Sequence, residues 1–373
     1  MQFRNKKPGK DMEDLIKALQ STDEADRLYA VEDIAELGMP DAAIPLIYQL
    51  ACEGSEAVKN AVVFALCHLD CRQVYEQLFD FFTSADAFLR NAAVTVFGAG
   101  GEEAVAYLTS KLDYQDREVR KLVLDALFEI GTPETLLVIR AGLYDESPNV
   151  QITAVEYLGR LNDDEAVDDM ISILSETDEP MLKAAILETL SMVGKAENIQ
   201  DVLDIMMPDG DVMGVDSFYL APLTDLTAKV GSIEHIIKML GAIEDIELYG
   251  AEVVNIIDTA CKRMGDIFNY DEILDKTRQI IITPEVAAYI RYDAVKCIVH
   301  RETRSVSSPE YQVIAQALLD ENNPEMLLPA VRLLARSGTD EDLAKIEELA
   351  ANTEDNDLRE LCEEMKKEIA NAI

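Results

Sequence analysis

A chain that repeats one helix at near-constant spacing has few folds open to it, and this chain does so from Asp23 to Gly194. The clearest copy runs from Asp116 to Gly131, D-REVRKLVLDALFEI-G. Asp116 stands where a side-chain oxygen accepts from the free N–H groups of a first turn, and Gly131 where a helix leaves through a left-handed residue. Between them Val119, Val123, Leu124, Leu127 and Ile130 lay an apolar stripe along one side of the helix. One helix cannot bury such a stripe alone, so another copy has to cover it.

With Leu127 as reference, the equivalent residues are Ile34, Leu66, Phe97, Leu158 and Leu190, and successive gaps are 32, 31, 30, 31 and 32 residues. Periodicity at this length marks a solenoid. Four more columns keep register. Eleven residues earlier stand Asp23, Ser55, Asp86, Asp116, Ser147 and Glu179, mostly N-cap types, with Pro148 and Pro180 at the first helical position. Seven earlier stand Arg27, Lys59, Arg90, Arg120, Gln151 and Lys183; three earlier, the apolar Val31, Val63, Val94, Leu124, Val155 and Leu187. Four later stand Gly38, Asp70, Gly101, Gly131, Asn162 and Gly194, types that accept a left-handed stop.

The pattern V-R-x-x-x-x-x-x-L-x-x-[LI]-G behind an acidic cap resembles the short bacterial HEAT repeat, the kind also found in phycobilisome lyases. The resemblance implies an all-α fold, an α-solenoid of about eleven HEAT-like helix pairs, with the second helix of each pair on the concave face. It also implies a ladder between the acidic cap and the basic column of adjacent copies, here Asp23, Asp86 and Asp116, with Gln151 departing from it. Two enzymes of similar architecture are testable on residues. Deoxyhypusine hydroxylase holds iron with paired His-Glu motifs, whereas His68, His235 and His300 are followed by Leu, Ile and Arg. Alkylpurine DNA glycosylases need a basic face with aromatic base contacts, and this chain has a net charge of −39 and no Trp. A phycobilin-lyase-like subunit stays open as the enzymatic alternative.

Charge narrows the partners further, because so negative a body repels nucleic acid and anionic membrane surfaces. No apolar run approaches the ~20 residues that span a bilayer and no secretory segment follows Met1, so the expectation is a cytoplasmic protein. Along the chain, residues 1–11 form a basic tail with Arg4, Lys6, Lys7 and Lys10. Residues 12–195 carry the regular repeats, with first helices expected near 41–51, 73–82, 102–112, 133–143 and 164–174. Residues 196–373 carry irregular ones, whose reference positions Thr227, Cys261, Ile298 and Leu334 follow gaps of 37, 34, 37 and 36. The Pro, Gly and Asp content of 206–222 reads as a loop insertion, with Met213, Phe218 and Tyr219 either tucked in or offered to a partner. From Asn356 a charged helix fits a terminal cap of the stack.

Chemistry-bearing constellations are sparse. The six cysteines show no disulfide-scaffold spacing. Cys67, His68 and Cys71 have ligand-like types but no fourth ligand nearby, and they read as structural thiols instead of a zinc site. Asp209, Asp211 and Asp216 lack the spacing and closing Glu of a calcium loop. No catalytic residue, cofactor or metal site is therefore expected. What remains is a surface. Two residues before the reference column stand Glu32, Phe64, Thr95, Asp125, Glu156 and Glu188; two after it stand Glu36, His68, Ala99, Glu129, Arg160 and Met192. They describe a largely acidic groove with a less charged centre around Phe64, His68 and Thr95. The expected function is a non-catalytic interaction scaffold or adaptor whose partner is a protein or peptide with a basic segment.

Overall fold

A computed structural model describes residues 11–212, 214–300, 303–321 and 323–372. The basic tail up to Lys10 and Met213 lie outside them. The described residues form 22 α-helices, joined by turns and short 3-10 segments, with no strand among them. They divide into two compact units, up to Thr189 and from Leu190. The fold is an all-α solenoid of helix pairs.

In the first unit the pairs are α1 (Met12–Ala18) with α2 (Glu24–Leu37), α3 (Ala43–Cys52) with α4 (Glu56–Leu66), and α5 (Tyr75–Asp80) with α6 (Ala87–Ala99). They continue with α7 (Glu102–Thr109) and α8 (Arg117–Ile130), then α9 (Pro133–Ala141) and α10 (Pro148–Arg160). After α11 (Val167–Glu176), helix α12 (Pro180–Val193) contains the division between the units. The second helices pack in series, α2 on α4, α4 on α6, α6 on α8 and α8 on α10. This series is what the reference column pays for: Ile34, Leu66, Phe97, Leu127 and Leu158 are all buried. Two copies rotate slightly, for Val63 and Val94 are only half-buried while Val62 and Ala93 turn inward. Close stacking also needs small residues one position past the reference. A Cβ on Gly98 would lie 2.7 Å from Glu129 Cβ, and one on Gly159 would lie 2.9 Å from Thr189 Cγ2.

The punctuation residues act largely as their types require. Asp23, Ser55, Asp86 and Asp116 each accept from a first-turn N–H of their own helix. Gly38, Gly131 and Asn162 take left-handed φ angles of 61°, 62° and 58°. Asp70 does not, because α4 stops at Leu66 and a 3-10 turn intervenes.

The ladder departs from expectation in an orderly way. Lys59 reaches the cap Asp86 at 3.3 Å, but Arg27 binds Glu53 at 2.8 Å and Arg120 binds Asp145 at 2.8 Å. Glu53 and Asp145 stand two residues before Ser55 and Ser147, the two uncharged caps. Each repeat thus carries its carboxylate either at the cap or two residues ahead of it. Where the acid is the cap, the residue two before is Ser21, Ser84 or Thr177 in three of four copies, whose hydroxyl accepts from the cap's N–H at 3.1–3.2 Å, and Tyr114 in the copy capped by Asp116. Where the cap is Ser55 or Ser147, the upstream acid accepts that N–H at 2.8 Å. Arg27, Arg90 and Arg120 also donate to the carbonyl six residues back, on Ser21, Ser84 and Tyr114. Gln151 instead donates to the Leu143 carbonyl.

The second unit contains α13 (Ile199–Met206), α14 (Ser217–Val230), α15 (Ile233–Ala242), α16 (Ile246–Met264), α17 (Asp271–Ile282) and α18 (Ala288–Ile298). It ends with α19 (Ser308–Asp320), α20 (Leu327–Ser337), α21 (Asp340–Asn352) and α22 (Asn356–Ala372). Again the second helices pack in series from α14 through α16, α18 and α20 to α22. The insertion expected over 206–222 is shorter than its composition suggests. Asp216 accepts from the Phe218 N–H and starts α14, so Phe218, Tyr219 and Pro222 are helical. Val212 is buried, which anchors what remains of the loop.

Candidate protein-binding face

Serial packing of α2, α4, α6, α8 and α10 brings the flanking columns of the first unit onto neighbouring helices, so their charges lie along one face. Glu32 and Glu36 on α2, Glu129 on α8, Glu156 on α10 and Glu188 on α12 are exposed. Charges repeated on adjacent rods add their fields instead of dispersing them. Midway along the face, Phe64 is 66% exposed on α4, and His68 stands in the turn that follows. Their rings lie 4.4 Å apart, and His68 Nδ1 is 2.7 Å from the Phe64 carbonyl oxygen. A carbonyl only accepts, so Nδ1 carries the proton of this hydrogen bond.

Asp125 does not behave as the other acids do. Its side chain is half-buried on α8 and accepts from the Tyr157 hydroxyl of α10 at 2.6 Å. Burial raises the Asp125 pKa above the ordinary range, and burial first and Asp125 second raise that of Tyr157. The Tyr157 ring stacks on Phe128 at 4.3 Å, and the Arg160 guanidinium lies 4.4 Å over the Phe128 ring. Asp125 is thus part of a tie between successive repeats, and the acidic column is interrupted there by Arg160. Spacing alone gave no sign of this, since the tie depends on the neighbour in the next copy; the pair Phe128 and Tyr157, 29 positions apart, was the available signal.

The residues of the former insertion belong to the other unit. Phe218 is 48% exposed in the first turn of α14 and meets Tyr219 edge-on at 5.4 Å. They form a local pair.

Beside α4 a cavity of about 250 Å³ is lined by Cys67, Cys71, Tyr75 and Gly100, with Arg72 bridging Asp70 and Glu103 at its rim. The Cys71 thiol donates to the Leu66 carbonyl at 3.2 Å and is pushed up to about 12 by burial. Burial raises Cys67 as well, and takes Tyr75 to about 12. None of these groups is an anion at neutral pH, so the cavity offers no activated nucleophile. All six cysteines are free thiols, and no cluster of three or more metal-ligating side chains occurs among the described residues. Nor is any helix among them long and apolar enough to cross a membrane.

A model of HEAT repeats matches residues 12–98 and 136–213. The chain carries HEAT repeats. Among solved structures, Kap121p bound to Pho4p aligns over 96% of this chain and 45% of its own, with 12% identity and a TM-score of 0.62. A Kap95p–RanGDP complex aligns over 96% and 56%, with 12% identity and a TM-score of 0.52. The chain therefore spans about half the length of these karyopherins, and at such identity the likeness concerns the fold. The CpcE–CpcF phycocyanin lyase complex from Nostoc sp. PCC7120 aligns over 70% of this chain with 17% identity, but its TM-score is 0.29. No curated protein matches the chain in sequence.

Proposed function

We propose that these HEAT repeats form a non-catalytic scaffold that holds a basic protein segment along the second-helix face of the first unit. The observation that carries this reading is the register of Glu32, Glu36, Glu129, Glu156 and Glu188, all exposed on serially packed helices and flanking an exposed Phe64. A complementary segment has Lys or Arg at intervals that match successive helices, and one apolar side chain to cover Phe64. The acids steer and align, while the apolar contact supplies the desolvated anchor. The solved neighbour Kap121p is bound to a protein, Pho4p, which is consistent with this use of the fold, and six free thiols suit a reducing cytoplasm.

The test is titration of a labelled Lys/Arg peptide bearing one Leu or Phe into the full chain. Binding should weaken as salt rises, because exposed charges are screened over roughly 8 Å at physiological ionic strength. Reversing Glu129, Glu156 and Glu188 to Lys should slow association far more than reversing Glu13, Glu102 and Glu134, exposed acids of first helices. Equal effects from the two triple variants would reduce the face to solvated helix surface.

A further inference from the structure

The second-helix face of the first unit begins with acids that its own helices do not neutralise. Glu32 and Glu36 on α2 are exposed and have no ion-pair partner among the described residues. Helices α1 to α4 carry three cations, and each already faces another acid: Lys17 faces Asp14, Arg27 Glu53 and Lys59 Asp86. One copy further on, the column of Glu32 holds Phe64, 66% exposed on α4.

Residues 1–10, M-Q-F-R-N-K-K-P-G-K, complement that surface in composition. They hold four of the chain's 33 bases, none of its 72 acids and one aromatic residue, Phe3. The place where they join the body is fixed, for Leu15 and Leu19 are buried and the Leu15 N–H donates to the Asp11 carbonyl at 3.1 Å. Only residues 19–23 connect α1 to α2, so the two helices run antiparallel. The chain therefore enters α1 toward the C-terminal half of α2, the half that bears Glu32 and Glu36.

The lengths agree as well. An extended chain advances ~3.3–3.6 Å per residue, and packed helices lie ~8–10 Å apart. The four residues from Asp11 back to Lys7 reach across α2, and the three or four from Lys6 or Lys7 to Phe3 span the one further step to α4. Phe3 comes no further than ~29 Å from Asp11, whereas α10, which bears Glu156, stands four helix steps or ~32–40 Å beyond α2.

We propose that residues 1–10 lie across α2 and α4 as an internal occupant of this face, with Lys6 and Lys7 on Glu32 and Glu36 and the Phe3 ring against Phe64. The inference rests on the reading of the face as a site for a basic segment, and it makes entry of an outside segment a competition. Exposed ion pairs contribute only about 0–1 kcal/mol each, too little to hold separate molecules together. A short tether raises the local concentration of the tail to the order of 1 mM, enough to populate a contact of that strength.

The experiment has two arms on the full chain. In the first, a carbodiimide joins amines to carboxylates in direct contact and the products are mapped by mass spectrometry. Lys6 and Lys7 should couple to Glu32 or Glu36 within single chains, at a yield independent of protein concentration. A yield that rises with concentration would assign the contact to a second copy and overturn the proposal, as would coupling to Glu156 as frequent as to Glu32. In the second arm, the labelled Lys/Arg peptide is titrated at low salt into wild type and variants. Lys6→Gln with Lys7→Gln should tighten peptide binding at least about threefold, the relief expected if the tail occupies the face about two-thirds of the time. Phe3→Ala, which leaves the charge unchanged, should tighten it too. Lys17→Gln with Arg117→Gln removes two exposed charges from α1 and α8 and should change affinity by less than about twofold. Equal effects of the two double variants, or unchanged affinity in Phe3→Ala, would overturn the proposal and leave the basic-segment reading standing. Coupling of Lys6 and Lys7 to Glu32 and Glu36 with no peptide binding to any form would sustain the tail contact and overturn that reading instead.

Discussion

The two units solve the same problem of fastening one repeat to the next with different acceptors. In the first, cations reach forward to carboxylates: Arg27 to Glu53, Lys59 to Asp86, Arg120 to Asp145 and Arg140 to Asp163. In the second, Lys276, Arg263 and Arg336 reach back to main-chain carbonyls near the ends of earlier helices, on Ile243, Gly231 and Thr303 among others, alongside the carboxylate pairs Arg278–Glu310 and Arg291–Glu321. The difference bears on spacing. A carboxylate has to be encoded at one register position, so the first unit holds its gaps to 30–32 residues. Every helix end presents unpaired carbonyls whatever its side chains, so fastening to them tolerates the 34–37 residue gaps among the later copies.

The sharpest way to break this contrast is Arg120→Ala. The Arg120 side chain is 5% exposed, and its removal strands Asp145 at 10% exposure. The loss should be about 3–5 kcal/mol, the cost of leaving a buried charge without its partner, seen as a lowered denaturant midpoint. A loss near zero would mean that the forward ladder does not hold the first unit together.

Glu53→Gln tests the same ladder by pH. The Arg27 hydrogen bond, with help from the Ser55 N–H and Gln49 and against burial, holds the Glu53 carboxyl at about 2, below its usual 4.5. A carboxylate with a depressed folded pKa contributes its full stability above the unfolded value and loses it as pH falls through the folded one. The gap between wild type and Glu53→Gln should therefore be about 3 kcal/mol at neutral pH, by linkage of the two pKa values. It should close as pH falls from 4.5 to about 2. A gap independent of pH would assign the effect to shape instead of charge.

The smallest effect is expected from Arg263→Met in the second unit. Its acceptors, the Ala228 and Gly231 carbonyls, are uncharged, so the loss should be about 1.5–2 kcal/mol, the lower part of the range for hydrogen bonds that involve a charged group. Because those acceptors do not titrate, it should be the same at pH 3 and pH 7 in chemical denaturation. A marked pH dependence would erase the distinction between the two kinds of fastening.

Much of this was legible in the sequence, for a stated reason. Caps, apolar columns and glycines are set by local backbone needs and repeat with the copies, so the helix pairs fall near their expected places. Glu53 and Asp145 were legible too, once the column two residues before the cap is read beside the cap itself. Asp125 was not, because its burial follows from Tyr157 in the next copy, which no column of its own copy reveals. The stretch 206–222 misled by composition: Pro222 sits at the sixth position of α14, where its missing N–H costs one helical bond but does not stop the helix.

The alternation between an acid at the cap and an acid two residues upstream means that the repeats, near-identical in length, are not interchangeable parts. Arg27 and Arg120 are matched to copies of the upstream kind, and Lys59 to one with the acid at the cap. Gene duplication or recombination that moved a copy to a new place would keep the hydrophobic stack and yet bring a cation opposite a hydroxyl. Order along the array is therefore written into the joints, and copies can be exchanged only with others of the same joint type.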